Sequence, residues 1–219
     1  MGLLSRISAR SGAALLLTGL MAGCGGGGGG DDAGVRRVPM PLDTTCSATQ
    51  FAPNHMGSTY RLYRLTHLPV VVYFHRDGGY TPEREGIARA GFSQWVEAVQ
   101  HPLLTYVVTD DPGEANVAVR FVESLPGGSW GAFDLDFYRY DEVLNGGTIN
   151  IAVGREATPA RLQNTAAHEF GHALGMNVHT RDCADIMAGD FYCGFPQTPQ
   201  PLSERDVNSL KTAYCWLFE

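Results

Sequence analysis

The segment His168-Glu169-Phe170-Gly171-His172-Ala173-Leu174-Gly175-Met176-Asn177-Val178-His179 restricts the fold more than any other part of the chain. Two histidines four apart share one helix face, with Cβ atoms roughly 5–6 Å apart. Both imidazoles then reach a single Zn²⁺ at about 2.0–2.1 Å. Glu169 lies close to such an ion yet points elsewhere, free to take a proton from water. Gly175 stands where the helix has to stop, because glycine tolerates the left-handed backbone that turns the chain. The turn returns His179 as a third ligand. Three protein ligands leave a fourth position for water, which marks a catalytic zinc site rather than a structural one.

The surrounding chain reads as alternating strands and helices. Leu68 to Phe74 is an apolar run of strand length. Thr81-Pro82-Glu83 opens a helix, with Thr as cap, Pro in the first position and an acid in the first turn. Ile87, Gly91, Phe92, Trp95, Val96 and Val99 follow at helical spacing. Leu104 to Thr109, Val117 to Val122 and Thr148 to Val153 read as strands. Pro159 starts the helix that carries His168. Ser203-Glu204-Arg205-Asp206 caps a last helix, with Val207, Leu210, Tyr214 and Leu217 on its buried side.

These features resemble the metzincin metalloproteases, and most of all their bacterial matrixin-like branch. That family carries His-Glu-x-x-His-x-x-Gly-x-x-His and then a methionine turn below the metal. Asp185-Ile186-Met187 follows the third histidine by a short loop, and Met187 fits the turn. One departure stands out: the family places its third histidine three residues after the glycine. Here Val178 holds that place and His179 follows it, so the loop must be one residue longer. The resemblance covers about residues 65–218 and implies an α/β (α+β) zincin fold. Its parts are a twisted mixed sheet with a substrate-binding edge strand, the zinc helix, the methionine turn and a C-terminal helix. Animal matrixins add a histidine-rich structural zinc site and calcium loops. Between Trp130 and Thr148 this chain has no histidine, so one catalytic zinc is expected and no second. Ca²⁺ is possible at Asp134, Asp136, Asp141 and Glu142 but is not indicated, because they lack a recognisable oxygen-ligand spacing.

The N-terminus reads as a processing signal. Arg6 and Arg10 precede an apolar core, Ala13 to Leu20, too short to span a bilayer. Met21-Ala22-Gly23-Cys24 resembles a bacterial lipobox, which implies a lipid on the Cys24 thiol and cleavage after Gly23. Gly25 to Gly30 suit a flexible tether. The expected organisation is signal peptide 1–23, tether and N-terminal segment 24–64, and catalytic domain 65–219. No Asp follows Cys24. By resemblance to Gram-negative lipoproteins, an exported protein at the outer membrane or cell surface is expected rather than one at the inner membrane. A plain secretory signal is the alternative.

Without residues 1–23 the chain carries 14 basic and 23 acidic side chains, and no basic patch suggests nucleic acid. Apart from Cys24, four cysteines remain, an even count that reads as two disulfides in an exported protein. Of three connectivities, the favoured one pairs Cys183 with Cys193 around Met187 and Cys46 with Cys215. Cys46 as an inhibitory prosegment thiolate is the alternative. Its context, Thr44-Thr45-Cys46-Ser47, lacks that motif's flanking Pro, Arg and Gly.

The expected activity is hydrolysis of peptide bonds by zinc-activated water, with Glu169 as general base, in a monomer acting on peptide or protein substrates. By resemblance, an extended substrate pairs with an exposed strand at Trp130-Gly131-Ala132-Phe133. Trp130 and Phe133 are candidates to touch it, with core packing as their alternative role. Ala188 to Phe195 is expected to line the specificity pocket. Phe191 and Tyr192 would form its wall, or Tyr192 would add a metal ligand. Two rival readings remain open. One is a gluzincin-type peptidase with Glu204 as third ligand; the other is a zinc-binding surface lipoprotein without turnover.

Overall fold

The computed structural model describes residues 35–41, 46–47, 49–55, 61–135, 143–154, 157–177, 179–189, 193 and 196–219. Cys24 and the glycine tether, Asp136, Asp141, Glu142, Val178, Phe191 and Tyr192 lie outside them.

The core is a five-stranded sheet. β5 (Val70–Phe74) is apolar along its whole length and sits inside the sheet, as a strand covered on both faces must. β6 (Tyr106–Val108) and β7 (Val117–Val122) flank it in parallel. In β7, Val117, Val119 and Phe121 are buried while Arg120 faces out. β10 (Gly147–Ala152) runs parallel to β7. β8 (Gly131–Leu135) closes the sheet antiparallel to β10, giving the order β6-β5-β7-β10-β8.

The expected strand from Leu68 is divided. Pro69, which has no N–H to give a ladder, separates β4 (His67–Leu68) from β5. Four further two-residue strands come from segments with no strand-length pattern. They are β1 (Val38–Pro39), β2 (Arg61–Leu62), β3 (Arg64–Leu65) and β9 (Val143–Leu144). β1 pairs with β4, and β3 with β9. The N-terminal segment thus contributes to the same compact unit, Ala33–Glu219, and buries Met40 and His55.

Two helices pack together on the sheet. α1 (Pro82–Val99) starts as its sequence dictates: the Thr81 hydroxyl accepts from the Arg84 N–H, and Pro82 fills the first position. It ends at Gln100, whose backbone is left-handed. Phe92 and Trp95 face α2 (Pro159–Ala173), the helix that carries the histidines. Phe92 stacks on Phe170 with ring centroids 4.3 Å apart, and Trp95 Nε1 donates to Ala167 O at 2.8 Å. These contacts fix the rotation of α2, so they fix which residues it turns toward the cleft.

α3 (Glu204–Ala213) begins with a reciprocal capping box between Ser203 and Asp206. Tyr214, just past its end, is fully buried. Its hydroxyl donates to Leu174 O and accepts from Leu65 N–H, tying the last helix to the end of α2. The expected Leu217 lies beyond α3 in a short 3-10 turn, Cys215–Leu217, and is half-buried.

Candidate metal centre

α2 delivers His168, Glu169 and His172 to one wall of a cleft of about 560 Å³. The helix stops at Leu174 because Gly175 takes a φ of 109° and its Cα abuts the Tyr63 carbonyl. A side chain there would meet backbone and adopt a conformation that L-residues rarely take. β11 (Met176–Asn177) then pairs with β2 and carries the chain away from α2.

The chain returns through His179. Thr180 N–H donates to Met187 O at 2.9 Å, Gly189 N–H to Thr180 O at 3.1 Å, and Thr180 Oγ1 to Asp185 at 2.7 Å. This small ladder locks the His179 loop onto the turn at Met187. His179 reaches the other two histidines in spite of the longer spacing after Gly175. His179 Nε2 lies 3.2 Å from His168 Nε2 and 3.0 Å from His172 Nε2.

Two hydrogen bonds set the ring chemistry. His168 Nδ1 donates to Ile186 O at 2.7 Å, and His172 Nδ1 to Met176 O at 2.6 Å. A ring nitrogen facing a carbonyl must carry the proton, so each Nε2 presents a lone pair inward. His168 is lowered to about 4, chiefly by burial; the bond to Ile186 O works the other way, and the charge of His179 adds to the lowering. His172 is held well below 6.5 by burial and then by His168 and His179. His179, the most exposed of the three, is lowered by partial desolvation. Three neutral rings with converging lone pairs are a cation site. A tetrahedral ion at about 2.0–2.1 Å from each nitrogen needs them about 3.3 Å apart, close to what the rings provide.

Met187 is fully buried beneath this site. Its Sδ lies against Gly171, where a Cβ would come within 2.5 Å of the sulfur. That close approach accounts for the glycine inside the motif. The thioether is thus packed against the α2 backbone between His168 and His172.

The other expected residues divide. Phe133 lines the cleft with Ser129, Gly131, Ala132 and Leu135, and also packs on the core. Trp130 does not line it; the Arg161 guanidinium lies 4.2 Å from its ring centroid. Glu204 is exposed in the first turn of α3 and belongs to no described metal-ligating group. Cys183 pairs with Cys193, and Cys46 with Cys215, with Cα separations of 5.3 and 5.8 Å. The disulfide to Cys215 leaves Cys46 no thiolate to offer the metal. The sequence reading missed Tyr63, Leu144 and Asn177, which also line the cleft. Tyr63 and Leu144 come from segments with no motif of their own.

Residues 80–215 match the matrixin family, peptidase M10. The chain belongs to the matrixins. Membership supports a zinc metallopeptidase, and the mixed sheet with its three described α-helices is the matrixin, or metzincin-like, fold. Among solved structures, that of myroilysin is similar at 15% identity, covering 71% of this chain and 94% of that one with a TM-score of 0.45. Comparison with curated proteins yields no match.

Proposed function

We propose that this matrixin is an exported, lipid-anchored, monomeric endopeptidase that uses one zinc, held by His168, His172 and His179, with Glu169 as general base. The observation that carries the reading is the convergence of three imidazole Nε2 atoms in the cleft that Glu169 lines.

Zinc, when bound, lowers the pKa of a water toward neutrality and polarises the scissile carbonyl. Glu169 accepts the proton of that water as its oxygen attacks the carbonyl carbon. The same carboxyl then delivers the proton to the amide nitrogen as the C–N bond breaks. β8 supports the substrate side of the reading. Among the described residues it is an edge strand, paired in the sheet with β10 alone, and its residues line the cleft beside His168 and Glu169. An extended peptide added to that edge gains main-chain hydrogen bonds independent of its sequence. Gly189, just after the methionine turn, lines the same cleft. It suits the part of the specificity pocket expected from Ala188 to Phe195.

Digestion of unfolded casein tests the enzyme reading. Glu169→Gln should abolish cleavage while zinc stays bound. Cleavage by Glu169→Gln at the unsubstituted rate would remove Glu169 from the mechanism. An intact protein that binds zinc and cleaves no peptide would favour the zinc-binding lipoprotein instead. Anchoring is tested separately: Cys24→Ala should move the protein from the membrane to the soluble fraction.

A further inference from the structure

We propose that His55, on the N-terminal strap, is a positioning residue for the zinc ligand His168, acting through Asp206 and the Ile186 peptide. The proposal rests on the zinc reading of the three histidines.

The strap, described over 46–47 and 49–55, is clamped to the end of the chain. Cys46 is bonded to Cys215, and the Phe51 ring meets Phe218 edge-on at 5.8 Å. Asn54 Nδ2 donates to Thr212 Oγ1 at 3.1 Å, and Asn208 Nδ2 to Pro53 O at 3.1 Å. The clamp inserts His55 beside α3. Its backbone N–H donates to Ser209 Oγ at 2.7 Å, and its Nε2 lies 3.2 Å from Asp206 Oδ1. His55 is 6% exposed and Asp206 fully buried.

Asp206 does more than cap α3. Its Oδ2 accepts from Ile186 N–H at 2.8 Å and from Ser203 N–H at 3.0 Å, and its Oδ1 takes a longer bond from Met187 N–H at 3.4 Å. The carboxylate therefore holds the two peptide N–H groups of the methionine turn. The other side of residue Ile186, its carbonyl, accepts from His168 Nδ1. A continuous hydrogen-bonded path runs from His55 to Asp206, to Ile186, to the ring that faces the metal site.

The chemistry explains why such a path matters. A buried carboxylate needs donors around both oxygens, and losing one leaves it to turn toward the donors that remain. Without His55, Oδ1 keeps only the long contact from Met187 among its described hydrogen bonds. Reorientation would drag the Ile186 peptide, and with it the carbonyl that fixes the tautomer and angle of His168. Groups that orient a metal's ligands typically change affinity by about 10–100-fold when removed. His55 lies outside the matched family region, residues 80–215, so the family match assigns it no role.

Zinc affinity by chelator competition and the visible spectrum of the Co²⁺-substituted full-length chain test the proposal. His55→Leu should weaken zinc binding about tenfold and shift the cobalt bands. His55→Gln, whose amide N–H reaches the same carboxylate, should recover most of the affinity. Phe51→Ala removes one ring contact and keeps the Cys46–Cys215 bond and the Asn54 and Asn208 bonds that hold His55 beside α3; it should lower the melting temperature and leave affinity and spectrum unchanged. Should His55→Leu fail to fold, His55→Asn, too short to reach Asp206, replaces it against His55→Gln. His55→Leu, or its replacement, with unaltered affinity and spectrum overturns the proposal, as does a Gln variant no better than the variant lacking the donor. His172→Ala is the control for the site: normal zinc binding in that variant would overturn the zinc reading itself.

Discussion

Gly131 on β8 faces Glu169 on α2 so closely that a Cβ at residue 131 would overlap the carboxylate oxygen Oε1. The same Cβ would sit 2.7 Å from Glu169 Cγ and 2.7 Å from Thr165 Cγ2. The edge strand and the acid are thus fitted to each other. Gly131→Ala should displace Glu169 while leaving the three histidines in place. A misplacement of about 1 Å at a catalytic group costs on the order of 10²-fold in rate. The expected result is a variant with normal zinc content and about a hundredfold lower peptidase activity. Normal activity would show that Glu169 does not need its present position.

Gly175 and Gly86 separate two uses of glycine. Gly175 has a φ of 109° and touches the Tyr63 backbone, whereas a Cβ at Gly86 in α1 meets nothing within 4 Å. Gly175→Ala should destabilise by at least about 2 kcal/mol. It should also loosen zinc, because the loop to His179 starts there. Gly86→Ala should stabilise by about 0.5–1 kcal/mol, the helix preference for alanine. Thermal unfolding of both variants checks the pair, and equal effects would contradict it.

What the sequence disclosed follows from how local each signal is. Caps such as Thr81-Pro82 and the His168–His172 pair act within one helical turn, so spacing alone places them. The strand at Val117 shows its alternation over six residues. β2 and β3 are two residues each, too short for any period to appear. Asp206 reads locally as a helix cap, and it is one. Its hold on Ile186 spans 20 positions and its contact with His55 spans 151, and neither leaves a trace in spacing. Trp130 shows a different limit of local reading. An aromatic residue beside an edge strand suggests a substrate contact, but its described neighbour is Arg161 on α2.

The pH dependence of the metal-free protein follows from the buried histidines. Burial holds His168 at about 4 in the folded state, against 6.5 when it is free. A depressed folded pKa means that the unfolded chain binds the proton first. The stability tied to His168 is therefore complete above pH 6.5 and is lost as pH falls toward 4, with a span on the order of 3 kcal/mol. His172 and His179 are shifted in the same direction and add to the slope. Chelator-treated protein should melt at a steadily lower temperature from pH 7 to pH 4.5, with little histidine-linked change between pH 7.5 and 8.5. A flat profile down to pH 4.5 would mean that the rings are not buried in the neutral form.

The last prediction concerns the third ligand. His179 is reached by a loop one residue longer than the family pattern, yet its Nε2 comes within 3.0–3.2 Å of both other ring nitrogens. His179→Ala should therefore lose zinc and activity nearly as severely as His172→Ala, since each removes one of three ligands. Glu204 is exposed in the first turn of α3, where a carboxylate faces the helix N-terminus. Glu204→Ala should keep one zinc per chain and full activity, and lose at most about 1 kcal/mol of stability. Elemental analysis and peptide cleavage on the three purified variants decide between the ligand sets. A gluzincin-type site predicts the opposite order, with Glu204→Ala losing the metal. Zinc retained with full activity in His179→Ala would leave the ladder from Thr180 to Met187 a purely structural feature, and the third ligand would have to be sought elsewhere.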